Sequence, residues 1–325
     1  MTTAGAGGGD LKLGILAWPQ YTDWASLERI GRRVEELGYD SLWTWDHLYP
    51  IVGSQIGPII EGWLTLGAWA EMTERVALGL MVGANTFRNP ALVAKMATTL
   101  DHISGGRAYL GIGAAWFETE HIAYGIDFGS SVGERLDRLD EAVMIMRGML
   151  HGEEPSGRKI YAARKVRNDP PPLQRTLPIL IGGGGERKTL QTVARYADAW
   201  NIGGTLDEVR HKDEVLRHWC TEVGRDESEI ERTLGSDMVV LRDDPAEGRR
   251  VADEISRQQG GWKPGPEFVG TPEELAEKLA PYMTLGFRHI YFDYASPWDA
   301  ETLERLIGEV KPMILDRVAA GVGAR

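Results

Sequence analysis

The run WTWDHLYP sets Asp46 and His47 side by side. Histidine is the side chain most easily tuned across neutral pH, and a neighbouring polar group can hold one tautomer, so the pair is a candidate proton-transfer unit. A bland explanation serves equally well: Asp46 caps a turn and His47 satisfies loop carbonyls. Trp43, Trp45 and Tyr49 would wall a dry site for a planar ligand, although aromatic clusters are more often simply core. Further along, VGANTFRNP offers Gly83 for close backbone approach, Asn85 and Thr86 for hydrogen bonds, and Arg88 for an anion. Asn89-Pro90 is also a helix start, which accounts structurally for half of that motif. In IGGGGERK, the consecutive glycines Gly182, Gly183, Gly184 and Gly185 leave backbone N–H groups uncovered just before a helix start at Glu186, Arg187 and Lys188. That is the recipe for an anion site. A flexible tight turn is the alternative.

Several chemistries are excluded. The G-x-G of LGIGAAW lacks the third glycine and the following helix of a dinucleotide fingerprint, so a Rossmann reading fails. The one cysteine, Cys220, permits neither an intrachain disulfide nor a thiolate zinc site. Histidines 102, 121, 151, 211, 218 and 289 are scattered, and no metal is expected. A net charge of -12 argues against nucleic acid, which requires a basic face. The same charge obliges any anionic ligand to be held by backbone N–H groups and a few placed cations. No window approaches the roughly 20 apolar residues of a membrane span. Residues 1–10 (MTTAGAGGGD) lack an apolar core and read as a flexible tail, not a signal peptide. A cytoplasmic location is expected.

These residues need elements to position them. Apolar runs at 11–16, 41–44, 76–82, 108–112, 178–181, 199–202, 234–241 and 289–293 read as strands. Segments of helical period follow them at 24–37, 63–72, 90–103, 131–150, 187–196, 206–223 and 299–318, with a loop from 113 to 131. Alternation of this kind in 325 residues predicts an α/β fold, a closed (β/α)8 TIM barrel with insertions. An open doubly wound sheet is the alternative. Residues 151–177 and 242–270 interrupt the alternation and read as insertions, lids or mobile loops within one domain spanning 11–325.

Taken in order, KLGI, SLWTWDHL, EGWLTLGAWAEMTERVALGLMV, TFRNPALVAKMATTLDHISGGRAYLGIGAAW, the Glu134-Arg135 helix start, PILIGGGGERKTLQTVARYADAWN and GTPEELAEKL span nearly the whole chain. Together they resemble the luciferase-like oxidoreductases, and within them the branch using coenzyme F420. The resemblance implies a homodimeric barrel enzyme with a nonprolyl cis peptide near Met81-Val82 or Val82-Gly83. It implies that Asp46 touches the cofactor ring and that His47 acts as acid or base at its reactive face. Met81, Val82, Gly83 and Asn85, followed by Gly113, Ala114 and Ala115, would lie along the ring. Gly182 to Gly185 and Glu186 would take the phosphate-bearing tail. Two departures stand out. Relatives that oxidise sugar phosphates carry a glutamate where this chain has Trp116, and a lysine after strand six where NIGGTLDE has none. An apolar or aromatic substrate against Trp18, Trp45, Trp63 and Trp116 is therefore expected. An FMN-dependent monooxygenase of the same fold is the runner-up, and a non-catalytic flavin-binding barrel the third reading.

Overall fold

A computed structural model describes residues 11–321, and the tail expected over 1–10 lies outside the described residues. The chain opens with β1 (Lys12–Ala17), α1 (Trp24–Leu37), β2 (Ser41–Thr44), α2 (Gly62–Met72) and β3 (Ala77–Leu80, extended by Gly83–Ala84). Next come α3 (Pro90–Ser104), β4 (Leu110–Gly113), α4 (Glu118–Tyr124), α5 (Val132–Leu150), β5 (Ile179–Gly182) and α6 (Thr189–Tyr196). The second half holds β6 (Ala199–Ile202), α7 (Leu206–Val223), β7 (Glu231–Ser236), α8 (Pro245–Gln258), α9 (Pro272–Thr284) and β8 (Phe287–Tyr294). α10 (Ala300–Arg305) and α11 (Lys311–Ala319) end it, joined through a π turn that interrupts the single helix expected there.

Local sequence explains the boundaries. In α1 the Asp23 carboxylate accepts the Ser26 N–H at 2.8 Å, and Gly38 closes the helix in the left-handed conformation. Leu27, Ile30 and Val34 form its buried stripe. Asn89 caps α3 ahead of Pro90.

All eight strands run parallel. β1 lies between β2 and β8, and the sheet continues through β7, β6, β5 and β4. Gly83–Ala84 pairs with Ile112 and Gly113, and a bridge between Leu78 and Ala108 closes the ring. The fold is the expected TIM barrel. One apolar core fills the space between strands and helices. A second, with Leu16, Trp43, Leu180 and Tyr291, fills the barrel, and Trp18, Trp45 and Met81 continue it at the C-terminal rim.

Three segments differ from expectation. The loop foreseen at 113–131 contains α4. The strand foreseen at 234–241 divides into β7 and a separate piece, Val240–Leu241, which pairs with Val269–Gly270. Between these two pieces the supposed loop carries α8, whose buried residues are only Gly248, Ala252 and Ile255, too thin a stripe to stand out in a charged sequence. The 151–177 insertion is pinned to the barrel's helices. Glu141 of α5 accepts the backbone N–H groups of Arg158, Lys159, Ile160 and Tyr161 at 2.8–3.1 Å. Burial pushes that carboxyl up, but the backbone donors outweigh it and its pKa is lowered. Asp101 of α3 likewise accepts from Leu173 and Gln174.

Candidate active site

The C-terminal ends of the strands surround a cavity of about 530 Å³. Trp45, Asp46, His47, Met81, Val82 and Trp116 line it together with Gly182 to Gly185, Thr189 and Asn201. Gly113, Ala114 and Ala115 after β4 and Val132 and Leu136 of α5 complete the lining described here. Strand ends of a parallel barrel converge there, which is where barrel enzymes place their chemistry.

Asp46 and His47 leave β2 with different partners. Both oxygens of Asp46 accept from Arg88 Nη1, at 2.9 and 2.7 Å, and Oδ2 also accepts the Ala84 N–H at 2.9 Å. Arg88 continues to Glu61 at 3.0 Å, and Glu61 in turn caps α2. Burial raises the Asp46 pKa, against the pull of Arg88 and of the Ala84 N–H. This carboxylate therefore fixes the end of β3 relative to β2. His47 Nδ1 lies 2.9 Å from Oε1 of Glu120, whose other oxygen accepts the Leu48 N–H at 2.8 Å. Glu120 is 1% exposed and His47 borders the cavity.

Glu120 escaped sequence reasoning because α4 was read as loop, although acidic residues in its first turn and Gly125 at its end were visible helix signals. His121 docks this helix: its Nδ1 donates to the Phe117 carbonyl at 2.8 Å and Nε2 meets Thr86 Oγ1 at 2.6 Å.

The Met81–Val82 peptide is cis, at the first of the two positions expected. The Val82 side chain occupies the space left by glycines, since a Cβ on Gly113 would come 2.8 Å from its Cγ2 and one on Gly182 3.1 Å. Gly183, at φ +120°, turns the chain away from β5 toward α6.

Four residues of the expected set lie outside the cavity lining. Asn85 donates to Tyr161 Oη at 3.1 Å, tying the 151–177 insertion to β3, and does not line the cavity. Glu186 is also outside the lining; its carboxylate pairs with Lys212 at 2.6 Å, which compensates its charge from α7, and lies 3.1 Å from His211 Nε2. Trp18 is buried behind Trp45, ring centroids 4.9 Å apart, and donates to Asp293 at 3.0 Å. Trp63, on the first turn of α2, packs on the outer core. Neither of these two tryptophans lines the cavity. Trp116 does, at its mouth, 63% exposed and 5.6 Å from the His47 ring.

The luciferase-like monooxygenase family model matches residues 11–268. The chain belongs to that family. It is an enzyme of the oxidoreductase class. An F420-dependent glucose-6-phosphate dehydrogenase of Microbacterium testaceum is 27% identical, covering 89% of this chain and 93% of the relative. An F420-dependent secondary alcohol dehydrogenase, solved with an F420-acetone adduct, superposes with a TM-score of 0.77 at 20% identity, covering 94% and 99% of the two chains. A riboflavin lyase, solved with modified FMN and riboflavin, also reaches 0.77, at 15% identity over 95% and 92%. At these identities both solved structures attest the fold.

Proposed function

We propose that the chain is a coenzyme F420-dependent oxidoreductase transferring a hydride between the deazaflavin and a small apolar or aromatic substrate, in the cytoplasm and as a homodimer. The observation that carries this reading is a single cavity lined both by a histidine with aromatic and apolar neighbours and by a glycine run that leads into a helix. A planar ring with an anionic tail fits that combination. Val82, Gly113 and Ala114 would support the ring, and Gly182 to Gly185 with Thr189 would take the tail through backbone N–H groups and a hydroxyl. The bound cofactor supplies the hydride chemistry, and the protein supplies orientation and a dry site.

In this reading His47 moves the proton that accompanies the hydride, and Asp46 holds the rim in place through Arg88. The apolar substrate class is favoured by Trp45, Trp116, Val132 and Leu136 in the cavity lining. β6 leads into Gly203, Gly204 and the Thr205 cap of α7, with no lysine there to meet a substrate phosphate.

Equilibrium titration of the purified protein with F420 and with FMN tests the reading. Binding of F420 at micromolar concentration, with FMN much weaker, is expected. Tight FMN binding with none of F420 would overturn the deazaflavin assignment in favour of a flavin monooxygenase.

A further inference from the structure

Glu120 stands out among the groups at the cavity. It is almost wholly buried on a short helix and pointed at the imidazole that lines the site. An ionised carboxylate accepts hydrogen bonds and cannot donate them. Both of its oxygens are occupied, Oε2 by the Leu48 N–H and Oε1 by His47 Nδ1. With Glu120 ionised, Nδ1 carries the proton, and Nε2 is the ring nitrogen that Glu120 leaves unused.

We propose that Glu120 is the positioning residue of the site: it holds His47 as the Nδ1–H tautomer and balances the charge His47 gains, so that the proton exchanged with the substrate moves through Nε2. This rests on the reading of His47 as the proton-moving group. When a substrate hydroxyl gives its proton to Nε2, the imidazole becomes an imidazolium and its Nδ1–H bond to Glu120 becomes charge-assisted. In the opposite direction Nε2 returns the proton to the substrate oxygen, and Nδ1 keeps its own throughout.

The surroundings of His47 make Glu120 the dominant electrostatic influence. Its ring neighbours are Trp45, Trp116 and Phe117, at 6.2, 5.6 and 6.1 Å between centroids, and none carries charge. Asp46, one residue back on the same loop, is already neutralised by Arg88, and Glu61 stands on the far side of that arginine. The α4 helix that carries Glu120 is itself held by His121, so the carboxylate arrives in a fixed place.

The test is a pH titration of the histidine ring nitrogens by NMR on the ligand-free, 15N-labelled protein, with His47→Ala assigning the signals. Wild-type His47 is expected to be protonated at Nδ1 in its neutral form. In Glu120→Gln it should bind its second proton at least about tenfold more weakly, the smallest effect expected from removing an adjacent opposite charge. Should that variant not fold, Glu120→Asp carries the test, with the retracted carboxylate giving a smaller shift in the same direction. An Nε2–H tautomer in the wild type, or a His47 titration indifferent to these changes, would overturn the proposal. In turnover with F420 and a series of alcohols, Glu120→Gln should move the acidic limb of the kcat profile to lower pH. If wild-type protein fails to bind F420 while the titration behaves as expected, the cofactor reading falls and the role of Glu120 stands.

Discussion

Both oxygens of Asp46 are taken up by Arg88 and the Ala84 N–H, whereas His47 pairs through Nδ1 with Glu120 and lines the cavity. The adjacent pair was legible in the sequence; the division of labour was not, because it depends on partners 42 and 73 residues away. His47→Ala should lower kcat by about 10²–10⁴, the usual worth of a positioned proton-transfer group, with cofactor affinity retained. Stopped-flow reduction of bound F420 separates the two quantities. A second residue-scale prediction concerns Asp293, at the end of β8 behind Trp18. Burial pushes its pKa from 3.8 up to about 7, against the Trp18 hydrogen bond and with help from Asp237. The folded state therefore holds a proton that the unfolded state has released, and stability falls as pH rises from about 4 to 7. Asp293→Asn keeps an acceptor for the Trp18 indole N–H and removes the titration. Its stability relative to wild type should be near unchanged at pH 4 and higher by on the order of 2 kcal/mol at pH 8, after allowance for partial solvent contact. Urea melts at the two pH values check this.

Among the elements, α1, β2 and α3 were readable because caps, stripes and length agreed, and Asp23, Gly38 and Asn89 each do what their types suggest. α4 shows why others were not. Seven residues give barely two turns, too short for an apolar period, and its docking comes from His121, whose partners Thr86 and the Phe117 carbonyl are not marked as a motif. α8 was hidden by its charge, and the 151–177 insertion by hydrogen bonds to Glu141 and Asp101 that a Gly/Pro-rich composition does not advertise. His121→Ala should destabilise the protein by about 1–3 kcal/mol, since Thr86 and the Phe117 carbonyl lose a buried partner. Because Glu120 rides on the same helix, the variant should also weaken proton binding at His47. Chemical denaturation and the His47 titration measure these effects separately, and a loss of stability with an unaltered titration would show that α4 is held in place by its other contacts.

The closure of the barrel explains glycines that looked functional when read singly. G-x-G at 111–113 falls short of a dinucleotide fingerprint, and Gly83 reads as a place for close backbone approach. In the folded chain Gly111 faces the break in β3, where a Cβ would stand 1.9 Å from the Leu80 carbonyl oxygen. Gly83 faces back across the same seam, its missing Cβ 2.9 Å from the Gly111 carbonyl, and Gly79 makes room for the Trp43 ring. The seam between β3 and β4 is where the ring closes, and it also sets Val82 against Gly113 and Gly182 in the cavity lining. Structure and site thus share one constraint: backbones that approach closely enough to complete the barrel also place Val82 in the cavity wall. Gly111→Ala obstructs that approach with backbone, not with a side chain able to swing away. The cost should be about 3 kcal/mol or more, at the upper end of overpacking effects. Gly113→Ala meets only a Val82 methyl and should cost less, while weakening F420 binding by displacing Val82. If urea titrations ranked the two variants in the opposite order, the seam would not be the tight junction of the barrel.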